Sequence, residues 1–198
     1  TMHPLEKMIL EGEHQQQDFK YFLNDAKKIA RTLAAFANTD GGRLLVGVKD
    51  NGKVVGLKHK DEEVYVVEAA ANVFCMPAVV FETRYWNYEG RTVLDVWVPK
   101  SGQAPHTAPA ENGKAACFIR KEDENKVASE LETAVLRLKY SPQPLTLSMD
   151  KQLERLTEVL KTYDATNGYD IRILSRLSLM TEKECVEALA RLIAGGTI

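Results

Sequence analysis

The sequence predicts an α+β protein: a larger first part in which antiparallel hairpins are packed by helices, then a small all-α unit. Three observations point to this. Turn signals at Asp50-Asn51-Gly52 and Glu89-Gly90 each sit between apolar runs of strand length, the mark of a hairpin. Apolar residues recur at helical spacing in several segments between and after those runs. Ser141-Pro142-Gln143-Pro144 interrupts the pattern with two prolines, which favour an extended spacer.

The elements follow in order. Residues 14–22 alternate loosely, with Asp18 and Lys20 on one side and Phe19 and Tyr21 on the other, as in a half-buried strand. Asn24 or Asp25 then caps a helix over 26–38, whose Ile29, Leu33, Ala34, Phe36 and Ala37 form the apolar stripe. The helix ends at Thr39-Asp40-Gly41-Gly42. Residues 43–48 and 53–57 read as the first hairpin, 61–76 as a helix capped by Asp61 and stopped by Pro77, and 79–98 as the second hairpin. A Pro-, Gly- and Ala-rich loop over 99–113 precedes a short strand, ACFIRK, and a helix capped by Ser129. The domains expected are 1–140, a linker at 141–148, and 149–198, the last carrying helices near 149–163, 169–177 and 182–193.

Composition narrows the function. A length of 198 residues with 44% hydrophobic and 27% charged residues is that of a soluble globular protein. No apolar run is long enough to span a bilayer and the N-terminal stretch lacks a signal-peptide pattern, so a cytoplasmic protein without a membrane partner is expected. Cys75, Cys117 and Cys185 lie far apart in apolar stretches, as buried thiols do. The net charge is −2, with 19 basic against 20 acidic residues over 1–140 and 7 against 8 beyond. Nucleic-acid binding would therefore need a local concentration of cations.

Four groups of residues carry candidate chemistry. Lys20, Lys27, Lys28 and Arg31, with Arg120, Lys121 and Lys126 and the polar Asn125 and His106, would make a phosphate-contacting groove if folding joins them. Asn38, Thr39, Gly41 and Gly42 form a glycine turn whose backbone amides could approach a phosphate. No GxxxxGK[ST] motif accompanies it, so no machinery for Mg-ATP hydrolysis is visible. Thr181, capping a helix with Lys183 and Arg191, completes a helix-turn-helix-like segment, with Ile173, Leu174, Leu177, Leu179, Val186, Leu189 and Leu192 as its expected core. Its acids Glu182, Glu184 and Glu187 are poor chemistry for approaching phosphates, and a small helical dimerisation element is the alternative, supported by the heptad-like leucines of 149–163. Tyr85, Trp86 and Tyr88 are aromatic candidates for base stacking, with hairpin packing the plainer reading.

Three segments, GEHQQQDFK, IARTLAAFANTDGGRLLVGVKDNGKVVGL and CFIRKEDENKVAS, together resemble the Schlafen AlbA_2 family over about residues 10–140. The resemblance implies an α/β module with mostly antiparallel strands and a nucleic-acid-binding role. Bacterial members are commonly assigned to transcriptional regulators or ATP-binding proteins, and animal relatives include RNA-cleaving ones. It also implies that Glu13 and Asp18 match a carboxylate pair that helps hold a divalent ion in nuclease members, with Asp50 as a third acid. Asp18 stands where relatives usually have glutamate. The expectation is a DNA-binding, regulatory homodimer that prefers DNA to RNA and needs no cofactor. The alternatives are a ribonuclease using Mg or Mn through Glu13, Asp18 and Asp50, and a nucleotide- or protein-binding sensor.

Overall fold

The computed structural model describes the chain except residues 144 and 146–148, so most of the expected linker's proline-to-serine stretch lies outside the described residues. The chain forms two compact units, Thr1–Val127 and Ala128–Ile198.

The first unit is built around one helix. After α1 (Pro4–Glu11) and β1 (Gln17–Lys20), α2 (Ala26–Asn38) leads to β2 (Gly42–Val46). Asp25 caps α2 by accepting from the amides of Lys27 and Lys28. β1 and β2 run parallel, as a strand–helix–strand crossover requires. Next come α3 (Lys60–Ala69), continued by a wider π turn at Ala70–Phe74, and the hairpin of β3 (Glu82–Tyr88) and β4 (Arg91–Val98). These strands form a mixed sheet in the order β1-β2-β4-β3. A second, antiparallel sheet holds β5 (Thr107–Pro109), β6 (Ala115–Lys121) and β7 (Glu124–Val127).

Strand alternation assigns the faces of the first sheet. Leu44, Val46, Leu94, Val96 and Val98 join α2 and α3 in the main core, while Phe19, Leu45 and Val93 face Leu5 of α1. The second sheet packs on α2 as well, contributing Ala108 and Phe118 to the same core. α2 is thus enclosed from Thr32 to Asn38, and its run of alanines lets neighbours approach closely. Its basic residues are confined to the first two turns, at Lys27, Lys28 and Arg31.

Several expectations change here. The turn at Asp50-Asn51-Gly52 forms, with the Lys49 amide donating to the Lys53 carbonyl at 2.9 Å, but strand pairing reduces to a single bridge, Val48 to Val54. Both edges of β2 are already taken, by β1 and β4. The helix expected over 61–76 begins at Lys60 behind His59 rather than at an Asp61 cap. α1 and β7 were not expected at all.

In the second unit, α4 (Glu130–Lys139) packs along α7 (Glu182–Ala194), with α5 (Lys151–Leu160) and α6 (Ile171–Leu177) closing the bundle. Ser129 and Thr181 each build a capping box, with Glu132 and Glu184. The helix after Ser129 therefore packs with the C-terminal helices, whereas the sequence reading placed it in a first domain ending at 140. Leu153 and Leu156 are fully buried inside this unit and cannot serve as a dimer seam. Of the expected helix-turn-helix core, Leu174, Val186, Leu189 and Leu192 are buried, but Ile173, Leu177 and Leu179 are 47%, 59% and 74% exposed. A seven-residue helix has only one narrow buried stripe, and Leu174 and Ser175 fill it.

Candidate nucleic-acid interface and acidic pair

Three of the expected cations converge. Lys20 at the end of β1 and Lys28 and Arg31 on the first turns of α2 line one cleft of about 600 Å³ with Asn125 of β7, facing the acids Glu111 and Glu124. The Arg31 Nε donates to the Pro109 carbonyl at 2.6 Å, which fixes the guanidinium on the cleft wall. Lys28 is exposed, and Lys20 reaches back to Asp18, Nζ to Oδ2 at 3.4 Å.

The remaining cations lie elsewhere. Lys27 turns toward the Phe74 ring, 5.8 Å from its centroid. Lys121 and Lys126 are exposed on the β6–β7 hairpin, Lys126 pairing with Glu124 at 3.3 Å. Arg120 is 2% exposed and cannot meet a phosphate. Its guanidinium donates to the carbonyls of His14 and Gln17 and to Asn125 Oδ1, lies 3.8 Å from Asp18, and stacks over Phe36. Strand period explains this: Arg120 shares a face with Phe118, and that face packs on α2. Asn125 is committed as well, its amide donating to Thr32 at 2.9 Å. His106, expected as a polar helper, is buried between the Pro77 carbonyl and the Ser101 hydroxyl.

The glycine turn is likewise used internally. Asn38 donates to the carbonyls of His106 and Phe118 and accepts from the His106 amide. The Thr39 hydroxyl donates to the Ala35 carbonyl and accepts from the Arg120 amide. The amides of Thr39 and Gly41 both donate to the Phe36 carbonyl, and Gly41 and Gly42 are buried. The amides of Thr39 and Gly41 are thus not free to cradle a phosphate.

Glu13 and Asp18 do meet. The two carboxyl groups share a hydrogen bond, and Glu13 Oε1 accepts from the Phe19 amide at 3.0 Å. Burial, then the bond to Asp18, hold the Glu13 proton up to about pH 7, with the charges of Asp18 and Asp50 adding to the effect. Asp50 acts only through its charge, from the exposed turn after β2. Among the described residues no three His, Cys, Asp or Glu side chains are grouped to hold a metal ion. The arrangement is a carboxyl pair backed by Lys20 and Arg120, and a three-acid cage is not formed.

This pair makes a pH-dependent prediction. A carboxyl whose native pKa is raised destabilises the fold once ionised, so stability falls as the pH rises from about 4.5 to about 7 and stays reduced above that. Glu13→Gln keeps the acceptor for Phe19 and removes the penalty. A fully sealed pair would correspond to about 3 kcal/mol. The partial exposure of Glu13 reduces this to on the order of 1 kcal/mol. The variant should melt about 2–4 °C above wild type at pH 8 and level with it at pH 4. A melting gap that does not change with pH would show that the Glu13 carboxyl is not held protonated in the fold.

In the second unit, the Thr181 hydroxyl accepts from the Glu184 amide at 3.1 Å and Arg191 lies 3.6 Å from Asp150. Of the helix-turn-helix candidates Lys183 remains as an exposed cation, beside the exposed Glu182 and Glu187.

The model of the Schlafen AlbA_2 family matches residues 13–129, more than half of the chain and nearly all of the first unit. The chain belongs to the Schlafen AlbA_2 family. A solved structure similar to it is the DIP2311 protein from Corynebacterium diphtheriae, at 18% identity and a TM-score of 0.54, over 89% of this chain and 36% of that one. The present chain thus spans about a third of that protein's length, and the likeness is one of fold. The N-terminal domain of a RecG-related protein from Nitrosomonas europaea also matches, at 24% identity and a TM-score of 0.43, over 74% of this chain and 96% of that one. No curated protein sequence matches. No helix among the described residues is long and apolar enough to cross a membrane.

The AlbA_2 domain carries one surface group that the sequence reading missed. Tyr21 and Phe22, directly after β1, are 37% and 43% exposed, with Lys49 and Lys58 set over their rings. Alternation along residues 14–22 predicts Tyr21 on the same face as Phe19, whereas β1 ends at Lys20. The available signal was the pair itself, two adjacent aromatics that no period-2 strand can bury on one face. Trp86, by contrast, is held in the hairpin, donating to Asp95 Oδ2 at 3.0 Å.

Proposed function

We propose that this AlbA_2 protein binds nucleic acid along the cleft of its first unit, with Lys20, Lys28 and Arg31 taking the phosphate backbone. The observation that carries the reading is the convergence of these three cations on one cleft in a chain whose net charge is −2. A polynucleotide running there would release about three counterions, giving a log–log salt slope of about −2 to −3. DNA as the preferred polymer, a regulatory role and a homodimer are finer points of the same reading. The second unit gives them less support, since Lys183 sits among acids and the leucines of α5 are buried within their own unit.

A second reading, RNA cleavage, is favoured by one observation, the contact between the Glu13 and Asp18 carboxyl groups beside Lys20. The residues present offer a two-carboxylate site for Mg or Mn rather than the three acids the family pattern implies, so no cleavage step is derived.

One experiment tests both readings. Labelled DNA and RNA are titrated with the protein across a salt series, and the same mixtures are resolved on a denaturing gel with and without Mn. Lys28→Gln should weaken binding several-fold and flatten the slope by about 0.7–0.9, one charge. An absence of binding at low salt, or binding without a salt slope, rejects the cleft. Shortened strands that require Mn and vanish in Glu13→Gln establish the second reading, and intact strands throughout reject it.

A further inference from the structure

Beyond the cleft, we propose that Tyr21 and Phe22, with Lys49 and Lys58, form a base-stacking platform that makes the polynucleotide an unpaired single strand. The proposal rests on the cleft reading and specifies its substrate class.

The geometry begins at the end of β1. The Lys20 carbonyl accepts from the amides of Gly47 and Val48, which brings the Lys49–Asp50 turn beside that strand end. Lys20 itself lines the cleft. Tyr21 and Phe22 follow Lys20 directly in the chain, at the end of β1. Their rings stand edge to face, 5.1 Å between centroids at 89°. Lys58 lies 4.9 Å from the Tyr21 ring and 5.8 Å from that of Phe22, and Lys49 lies 5.6 Å from the Tyr21 ring.

Neither aromatic ring belongs to the buried core, although the large side chains on either side of them, Phe19 and Leu23, do. Two neighbouring aromatic rings held half in water have unspent stacking surface, and their lysines supply charges for the flanking phosphates. Aromatic faces ringed by cations are what unpaired strands use, because every base has a face to stack. A duplex buries those faces in its own stack and could use only the lysines. The Tyr21 hydroxyl agrees with a positive setting, since its bond to Lys58 and then the charge of that lysine lower its pKa.

The test is anisotropy of the full chain with a short labelled single strand and with the same sequence as a hairpin duplex. Wild type should bind the single strand more tightly. Tyr21→Leu combined with Phe22→Leu, which keeps apolar bulk and removes the π faces, should lose on the order of ten-fold in affinity for the single strand, with no loss for duplex and no change in salt slope. Lys58→Gln should instead flatten the slope by about 0.7. Phe22→Tyr should bind like wild type, and melting curves confirm that each variant is folded. Equal affinity for both forms, or an unchanged double-leucine variant, overturns the platform while leaving the cleft in place. If wild type binds neither form at low salt, the cleft and the platform fall together.

Discussion

Arg120→Met is expected to lower the melting temperature by about 10 °C, the largest effect of any single substitution among the cations of this protein. The guanidinium is almost fully enclosed, and every direction it points is occupied. It donates to the carbonyls of His14 and Gln17 on the segment that carries the acids, to Asn125 on β7, and stands 3.8 Å from Asp18. Methionine would fill the space over Phe36 but remove the side-chain donor from the His14 and Gln17 carbonyls, leaving them only their mutual backbone bonds, leave Asn125 Oδ1 without its guanidinium, and take one of its two cations from the Glu13–Asp18 pair. Stripping one partner from such a set costs about 3–5 kcal/mol. Arg120→Lys should recover little, because a single ammonium cannot reach three acceptors that a planar fork reaches at once. Binding measured well below the melting transition separates the roles: Lys28→Gln should weaken it with little loss of stability, and Arg120→Met should do the reverse. A stable Arg120→Met protein that no longer binds polynucleotide would return Arg120 to the surface.

The misplacement of Arg120 shows where sequence is informative and where it is not. The β3–β4 hairpin was legible because its turn, Glu89 and Gly90 with φ of 50° and 75°, lies between runs that pair with each other. The turn after β2 was equally legible, yet its arms pair through a single bridge, because pairing along β2 is decided by distant segments, β1 and β4. Helix caps at Asp25, Ser129 and Thr181 are local chemistry and were found. The side of the second sheet that Arg120 faces depends on α2 being enclosed between two sheets, a tertiary fact, although its phase with Phe118 pointed that way. The unit to which α4 belongs was hidden for the same reason. Proline spacing marks where a chain is extended, and packing alone shows which helices share a core. The acid pair was found through family resemblance. Its hydrogen bond depends on the bend between Glu13 and β1, where the Phe19 amide turns back to Glu13.

The turn between α2 and β2 gives the second large effect, and it bears on nucleotide binding. Gly41→Ala is expected to cost about 3 kcal/mol, from a left-handed backbone closed to most side chains and from overpacking. Gly41 has φ +75°, and an added Cβ would lie 2.8 Å from the Val98 carbonyl oxygen and 2.9 Å from the Lys100 amide. Both are backbone atoms that cannot rotate away. Gly42 is closed from the other side, where a Cβ would fall 2.4 Å from the Phe36 ring. The glycines are therefore required by the close passage of α2 into β2 and past the end of β4, and the same turn commits the amides of Thr39 and Gly41 to the Phe36 carbonyl. Thermal melts with and without ATP decide between the two roles. If packing is the whole reason for the glycines, Gly41→Ala lowers the melting temperature of the free protein, and ATP shifts wild type and variant by the same amount, including by none. A wild-type shift with ATP that disappears in Gly41→Ala, with both proteins melting cooperatively from a folded state, would show that this turn holds phosphate after all.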